Sequence, residues 1–414
     1  MAVAIGFTAL MAVAAPVPAP AEPREFVYVT NTLSNTVLVI DAATSTVVAT
    51  IAVGNNPQEV AVSPDGTRAY VTNGDSNTVS VIDTGARAVI ATIQVETLPW
   101  GVAVSPRGDR VYVSNASSNT VSVIDTATNA VIATIQVGDF PVGVTFTPDG
   151  TRVYVGNAGQ FSTQVSMIDT ATYAVTDIPV GLNPAGVDVT SDGTRLYVVS
   201  RGSAIVSVIR ISDNTPIAII PVGLDPQRVV VNPAGTLAYV TDSSLNTVSV
   251  IPTADYTVSN TVPVGLSPVG VAISRNGTRV YAANGGSNSI SVIGAATNTV
   301  IRTIAVGDSP LDVAVGATGD VTGGVTGGVT RGDRPRSVAG RQTEQEGGST
   351  SDGSGKGRSN QDQHDVSTAE QAGRNSGQVK VKVDHEKATK GRRKAHRGGG
   401  HRAGRCLRSR CAPL

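Results

Sequence analysis

The sequence predicts an all-β fold, a seven-bladed β-propeller in which each blade is a four-stranded antiparallel sheet. Three observations lead to this prediction. A unit of about 42 residues recurs seven times, each unit contains four short apolar runs, and the two ends of the repeat region complement each other. Four short strands per unit at this period are typical of propellers.

Two markers define the repeat. A tyrosine that opens a Tyr-Val-type dipeptide recurs at Tyr28, Tyr70, Tyr112, Tyr154, Tyr197, Tyr239 and Tyr281. A valine that precedes glycine, or Glu96 in one copy, recurs at Val53, Val95, Val137, Val180, Val222, Val264 and Val306. Both series step by 42 residues with one shared step of 43, so they mark the same unit.

The copy at residues 99–138 shows how one unit divides. Its apolar runs are 102–104, 110–113, 121–124 and 131–137, and each is followed by polar or turn-forming residues. In the first turn, Pro106 presets its own φ and Gly108 accepts a positive φ. Short runs rich in Val, Ile and Tyr between such turns predict an antiparallel four-stranded meander.

The ends of the repeat region predict how the ring closes. The chain opens at residues 26–31 with a second run that has no first run before it, and it finishes at 309–315 with a first run alone. We expect residues 309–315 to join the N-terminal blade, because a closed ring leaves no unpaired strand edges.

The segments outside the repeats predict three regions: a leader at 1–24, the propeller at 25–315 and a disordered, basic, low-complexity tail at 316–414. The leader is apolar and Ala19-Pro20-Ala21 resembles a signal-peptidase site, although no Lys or Arg precedes it. The alternative is a disordered leader. We expect a secreted or cell-surface protein without an integral membrane span.

Net charge divides sharply between these regions. Residues 1–315 hold 13 Lys/Arg against 22 Asp/Glu, whereas residues 316–414 hold 19 against 10. The basic cluster at 390–410 predicts binding to an anionic polymer such as nucleic acid, and the alternative is a solvated linker. His396, His401, Cys406 and Cys411 are spaced by five and form a weak candidate metal site; a Cys406–Cys411 disulfide or chance is the alternative.

The motifs YVTN at 28–31 and 70–73, SPDGT at 63–67 and SNTVSVID at 76–83 resemble the YVTN-repeat β-propeller family of surface-layer and exported prokaryotic proteins. The resemblance covers about 290 residues. It implies export and a binding or scaffolding role, with an unknown protein or cell surface as the partner. We expect the propeller itself to be monomeric.

The repeat also singles out residues that its own consensus does not require. The consensus Pro-x-Gly-Val opens each first run, and Glu59, Arg228 and Asp312 replace its glycine. Asp188 lies two residues further along the first run, after Gly186, and Trp100, the only tryptophan, precedes Gly101. These five residues predict a small-ligand site at the channel mouth. The alternative is structural drift, with Arg228 paired to a nearby acid.

Two loop residues form a second, weaker prediction. The loop after the fourth YVTN-type motif is two residues longer than its counterparts and carries Phe161, and the corresponding loop of the fifth copy begins with Arg201. An exposed aromatic residue on a long loop favours an interaction site, and a tolerated insertion is the alternative.

The residue content of the repeats favours a non-enzyme that needs no cofactor. All four His and both Cys lie beyond residue 315, so the repeats hold no Ser-His or Cys-His pair. The sequence therefore predicts a non-catalytic binding or scaffold module. The alternatives are a lactonase- or lyase-like propeller enzyme, a calcium site of Glu59, Asp188 and Asp312, and polyanion binding through the tail.

Overall fold

The computed structural model describes residues 24–318, which form seven four-stranded antiparallel sheets. The innermost strands of neighbouring sheets contact one another in a continuous circle. The predicted seven-bladed propeller is thereby confirmed. Within these residues the only helix is a 3₁₀ turn at Arg201–Ser203. None of their helices is long and apolar enough to cross a membrane.

The 28 strands fall into four classes by their position in the blade. The inner strands are β4 (Pro57–Val62), β8 (Pro99–Val104), β12 (Pro141–Phe146), β16 (Pro184–Val189), β20 (Pro226–Val231), β24 (Pro268–Ile273) and β28 (Pro310–Thr318). The second strands are β1 (Arg24–Asn31), β5 (Arg68–Asn73), β9 (Arg110–Asn115), β13 (Arg152–Asn157), β17 (Arg195–Ser200), β21 (Leu237–Asp242) and β25 (Arg279–Asn284).

The remaining strands lie further from the axis. The third strands are β2 (Thr36–Asp41), β6 (Thr78–Asp83), β10 (Thr120–Asp125), β14 (Gln164–Asp169), β18 (Ile205–Arg210), β22 (Thr247–Pro252) and β26 (Ser289–Gly294). The outer strands are β3 (Thr46–Ala52), β7 (Ala88–Gln94), β11 (Ala130–Gln136), β15 (Val175–Pro179), β19 (Thr215–Pro221), β23 (Asn260–Pro263) and β27 (Thr299–Ala305).

Because the strands alternate in direction, the connections divide between two faces. The loops before the inner strands and those between second and third strands share one side, which we name the loop face. The tight turns between inner and second strands, and between third and outer strands, share the other side, the turn face. Blade 1 contains β1, and blades 2 to 7 follow in chain order.

The ring closes where the sequence predicts. Strand β28 pairs antiparallel with β1, with Val315 opposite Val27 and Ala314 opposite Tyr28. The strand runs from Pro310 to Thr318, three residues beyond the predicted run at 309–315. Blade 1 therefore combines the two ends of the repeat region.

The hydrophobic core lies between blades. All seven repeat tyrosines are at most 2% exposed. Tyr28 of blade 1 packs with Val60 and Val71 of blade 2, and Tyr70 of blade 2 packs with Val102 of blade 3. Each tyrosine thus fills the gap to the following blade, which explains why one large residue recurs in every copy.

The last two residues of the YVTN-type motif make polar links. Thr72 donates its hydroxyl to Trp100 O of the next inner strand (2.5 Å), and Thr30 donates to Gln58 O (2.8 Å). Asn73 donates to Ser80 Oγ at 2.9 Å within its own blade. A Cβ at Gly54 would lie 2.6 Å from Asn73 Cγ, so the Val-Gly marker makes room for this asparagine.

Asp242 departs from this arrangement. It replaces the motif asparagine in blade 6, where it is fully buried and accepts from Ser249 Oγ at 2.6 Å, while its Oδ1 has no hydrogen-bond partner. Burial raises the pKa of this carboxyl to about 6, and the Ser249 hydrogen bond opposes the shift. Ionised Asp242 therefore destabilises the fold at neutral pH.

We expect closure of the ring to depend on β28. A chain ending at Asp308 lacks this strand, whereas a chain ending at Thr318 keeps it, and both lack the tail. The shorter chain should unfold at a much lower temperature and elute as aggregates, because it leaves the edge of β1 unpaired. Circular dichroism melts and size-exclusion chromatography measure this. Equal melting temperatures would contradict the closure argument.

We expect Asp242→Asn to stabilise the protein above pH 6. The unfolded carboxyl ionises near its ordinary pKa and the folded one near 6. Stability is therefore lost as pH rises between these values, and the substitution should recover on the order of 2 kcal/mol at pH 7. Urea unfolding at pH 4 and pH 7 measures this.

The matched control is Asn284→Asp, which places a carboxyl at the same position in blade 7. Its free energy of unfolding should fall more between pH 4 and pH 7 than that of the wild type. A pH-independent effect of either substitution would contradict the assigned cause.

Candidate functional site

The ring of inner strands surrounds a central channel. The third residue of the inner strand is glycine in four of the seven blades, at Gly101, Gly143, Gly186 and Gly270. A Cβ at Gly186 would lie 2.7 Å from Gln227 O of the next inner strand, and one at Gly270 would lie 2.6 Å from Asp312 Cα. Real Cβ atoms do not approach so closely, so these positions exclude side chains. Charged residues at the equivalent positions of the other three blades therefore stand out structurally as well as in sequence.

The structure brings these three charged residues together. Arg228 of blade 6 forms an ion pair with Glu59 of blade 2, three blades away around the ring. A Cβ at Gly143 of blade 4 would lie 3.1 Å from Arg228 Nη1, so the guanidinium also lies close to blade 4. The side chains of Arg228 and Glu59 are 15% and 10% exposed. Arg228 thus spans the channel.

The acidic groups of the channel are held by backbone amides of the next inner strand. Asp312 Oδ2 accepts from Val60 N at 3.1 Å, and Glu59 Oε2 accepts from Val102 N at 3.3 Å. Asp188 Oδ2 accepts in the same way from Val231 N at 2.7 Å. Each carboxylate is therefore fixed in direction before any ligand binds.

Burial shifts the protonation of these groups. It raises the pKa of Asp188 to about 7, against the opposing hydrogen bonds from Val231 and Val189. It also raises the pKa of Asp312, although the Arg228 charge opposes this shift. Burial lowers the pKa of Arg228, and Asp312 opposes that change. Asp188 can therefore exchange a proton near neutral pH.

Trp100 precedes Gly101, which in blade 3 takes the position of the charged residues, but its side chain belongs to an apolar cluster. Its ring packs against Phe140 with centroids 6.1 Å apart, and Val142, Ala158 and Ala185 complete the cluster. The tryptophan is half-buried. The structure thus places an aromatic pair on the loop face, in blades 3 and 4.

The two predicted loop residues do not join the channel cluster. Phe161 is 82% exposed in the loop between β13 and β14. Arg201 pairs with Asp225 of the next blade at 3.3 Å. Their predicted interaction role stays a prediction. The four residues His396, His401, Cys406 and Cys411 and the basic cluster at 390–410 lie outside the described residues.

The calcium alternative finds little support in the channel. Among residues 24–318, no group of three or more His, Cys, Asp or Glu side chains could hold a metal ion. The positive guanidinium of Arg228 also pairs with Glu59 and acts on Asp312, two of the proposed ligands. Arginine at this place favours an anionic or carbonyl-bearing ligand over a cation.

Solved structures with the same fold include several propellers. The hydrazine synthase of Kuenenia stuttgartiensis is 26% identical, with a TM-score of 0.60, and the match covers 64% of this chain and 91% of that one. A candidate 6-phosphogluconolactonase of Bacteroides fragilis is 17% identical, with a TM-score of 0.62, over 72% of this chain and 99% of that one.

A second candidate 6-phosphogluconolactonase, from Bacteroides uniformis, is 19% identical, with a TM-score of 0.60, over 70% of this chain and 99% of that one. For both Bacteroides proteins the likeness shows the propeller fold alone. No protein-family model matches the sequence, and no curated protein matches it.

The sequence-based interpretation of a non-catalytic binding or scaffold module without enzyme activity is wrong. The hydrazine synthase structure, at 26% identity, is described as an enzyme, which favours the alternative of a propeller enzyme. The interpretation relied on the absence of His and Cys from the repeats, and that absence excludes only imidazole and thiolate chemistry. Buried carboxyl groups can perform acid–base catalysis without either.

We expect Arg228→Met to destabilise the protein by about 3–5 kcal/mol at pH 7, because it leaves Glu59 buried without its partner. Adding Glu59→Gln to this variant should recover part of the loss, since the uncompensated charge is then removed. Denaturant unfolding of the two single variants and the double variant measures the coupling.

The control for the lost charge is Arg107→Met, because Arg107 is exposed on the turn face. It should change stability little. Additive effects of the Glu59 and Arg228 substitutions would show that the ion pair across the channel does not form.

Proposed function

We propose that the chain is a propeller hydrolase that opens small cyclic esters, of the sugar-lactone class, at the channel. The observation that carries this proposal is Asp188, a half-buried carboxyl of the channel whose pKa is raised to about 7. A general base works best when its pKa lies near the working pH. The descriptions of the two Bacteroides propellers as candidate 6-phosphogluconolactonases support the choice of substrate class.

The channel residues lie at two levels along the channel, and we assign each level a different role in the reaction. Arg228, Glu59 and Asp312 occupy equivalent positions of their strands, and Asp188 lies two residues, about 7 Å, further along the channel. Arg228 has five N–H donors, and a bidentate pair with Glu59 engages two of them. The remaining donors would bind the ester carbonyl oxygen and stabilise the negative charge that develops there.

The proposed reaction is ordinary ester hydrolysis. Ionised Asp188 takes a proton from water while the water oxygen bonds to the carbonyl carbon of the lactone. The ring C–O bond then breaks, and the proton passes from Asp188 to the departing ring oxygen. The product is an open hydroxy acid, and Asp188 is restored to its ionised form.

We also propose that the chain belongs to the YVTN-repeat family and is exported, and that the basic cluster at 390–410 attaches it to an anionic polymer. The motifs, the signal-like leader and the charge difference between residues 1–315 and 316–414 support these proposals. N-terminal sequencing of the secreted protein and salt-dependent binding of a polyanion, with and without residues 316–414, test them.

We expect the full-length protein to hydrolyse 6-phosphogluconolactone or gluconolactone faster than the spontaneous reaction, with kcat rising through about pH 7 as Asp188 ionises. Asp188→Asn should lower kcat by about 100-fold, the usual contribution of a positioned base. A pH-indicator assay of proton release measures both.

Asp255→Asn is the control, because Asp255 is an exposed carboxyl outside the channel. It should leave kcat unchanged. The absence of turnover of every lactone tried, or equal rates for Asp188→Asn and wild type, would refute the proposal.

A further inference from the structure

The seven entry loops, which precede the inner strands on the loop face, share one unusual backbone position. The residue before the proline has a positive φ of 50° to 57° in every copy: Asn56, Leu98, Phe140, Asn183, Asp225, Ser267 and Ser309. Asn and Asp tolerate this left-handed conformation, whereas bulky apolar residues rarely adopt it. Leu98 and Phe140 are therefore the two copies in which the side chain does not suit the backbone.

The aromatic copy also gives up a polar contact. At the same position in blade 5, Asn183 donates from Nδ2 to Ala158 O at 2.7 Å. Phe140 cannot donate in this way, and its ring packs against Trp100 instead, with the ring centroids 6.1 Å apart. Both rings are only half-buried. We name Trp100 and Phe140 the aromatic platform. A backbone strained to hold an aromatic pair at the surface is typical of a binding site.

The aromatic platform adjoins the guanidinium that we assign to the lactone carbonyl. Val142 and Ala185 pack against the platform. A Cβ at Gly143, the residue after Val142, would lie 2.3 Å from Ala185 O and 3.1 Å from Arg228 Nη1. In the same strand as Ala185, Asp188 follows three residues later, which is about 10 Å of extended chain. A ligand held at Arg228 and Asp188 is therefore within reach of the platform.

Other exposed apolar side chains divide unequally between the two faces. Within residues 24–318, the exposed large apolar residues lie either in outer strands or in loops of the loop face, and none lies in a turn of the turn face. The loop-face members are Leu33, Phe161, Leu224, Leu245 and Leu266. The platform thus belongs to a face that offers apolar contacts around the channel mouth.

The charge of the loop face is negative. Among the described residues, its loops carry five carboxylates and one arginine, Arg201, which pairs with Asp225 at 3.3 Å. The five carboxylates are those of Asp75, Glu96, Asp139, Asp225 and Asp308. Glu96 and Asp139 lie in the entry loops of Leu98 and Phe140, and neither forms an ion pair within residues 24–318. A phosphate placed beside the platform would be repelled by these loops.

We propose that the loop face selects an uncharged lactone that carries an apolar substituent, such as an acyl group, over a phosphorylated one. The substituent packs against Trp100 and Phe140 while the lactone carbonyl binds Arg228. The carboxylates of Glu96 and Asp139 disfavour a phosphate in the same place. The selection among substrates rests on the proposed function, whereas binding of an apolar group to the platform does not require the reaction.

The binding test uses the fluorescence of the full-length protein. Trp100 is the only tryptophan of the chain, so its emission reports the platform alone. The ligands are 6-O-hexanoylglucose, glucose and glucose 6-phosphate, which differ only at O6. We expect the hexanoyl ester to change the emission and to bind at least about tenfold more tightly than glucose, and glucose 6-phosphate to bind no more tightly than glucose. An unchanged emission with the hexanoyl ester, or tighter binding of glucose 6-phosphate, would overturn the proposal.

Phe140→Asn is the variant for this titration, because blades 2 and 5 carry asparagine at the same left-handed position. The variant suits the backbone, keeps Trp100 as the reporter, and should bind the hexanoyl ester about tenfold more weakly. The control is Ile301→Ala, which removes an exposed apolar side chain from the outer strand β27 and should leave the affinity unchanged. Equal affinities of the wild type and Phe140→Asn would contradict the assigned contact.

The kinetic test compares three gluconolactones that carry a free hydroxyl, a hexanoyl ester or a phosphate at O6. We expect kcat/KM to be highest for the hexanoyl lactone and lowest for the phosphorylated one. Trp100→Ala should lower kcat/KM for the hexanoyl lactone about tenfold more than for gluconolactone, mainly through KM, because the platform does not contact the reacting atoms.

The two tests separate the selection from the reaction. A higher kcat/KM for the phosphorylated lactone than for gluconolactone would overturn the selection. If no lactone is hydrolysed but the hexanoyl ester still binds at Trp100, the proposed function fails and the binding of an apolar group to the platform stands.

Discussion

The close approach of neighbouring inner strands is the constraint on which the molecule depends. At Gly186 and Gly270 the next strand lies so near that a Cβ would contact its backbone. The contact closes the ring and brings each motif tyrosine against the following blade, so the hydrophobic core forms between sheets. A four-stranded sheet of small residues could not bury enough surface alone, and the ring supplies the missing partner on both faces.

The close packing of the inner strands explains why the charged residues of the channel are paired. An arginine that must cross a narrow channel loses water on all sides, which is unfavourable unless acids meet it. Glu59 and Asp312 come from blades 2 and 1 to do so, and the backbone amides of Val60 and Val102 hold these acids in place. A fold that needed only stability could have kept glycine at all seven positions. The charged exceptions support the proposed site, and the raised pKa of Asp188 supports its proposed role as a base.

The fold could be predicted from the sequence because every motif residue makes a local or neighbouring-blade contact that repeats. Glu59, Arg228 and Asp312 could be singled out for the same reason, since they break the pattern. Their meeting could not be predicted, because it depends on the channel width. The inference against enzyme activity failed because it counted imidazoles and thiols, and buried carboxyls acquire their reactivity only from the tertiary environment.

The three blades that carry a channel charge also share one residue type in the second strand. The third motif residue is threonine only in blades 1, 2 and 6, which are the blades that carry Asp312, Glu59 and Arg228. The other four blades have Ser114, Gly156, Val199 and Ala283 at that place, and glycine in the inner strand. Thr72 accepts from Glu59 N at 3.0 Å and donates to Trp100 O of the next blade, so its side chain stands between the two inner strands. Thr241 does the same for Arg228 N and Val269 O. Ser114 makes the same two hydrogen bonds beside Gly101, so the hydroxyl bridge alone does not make room for a side chain. Each channel charge nevertheless occurs together with a threonine that lies thirteen or more positions away in the sequence.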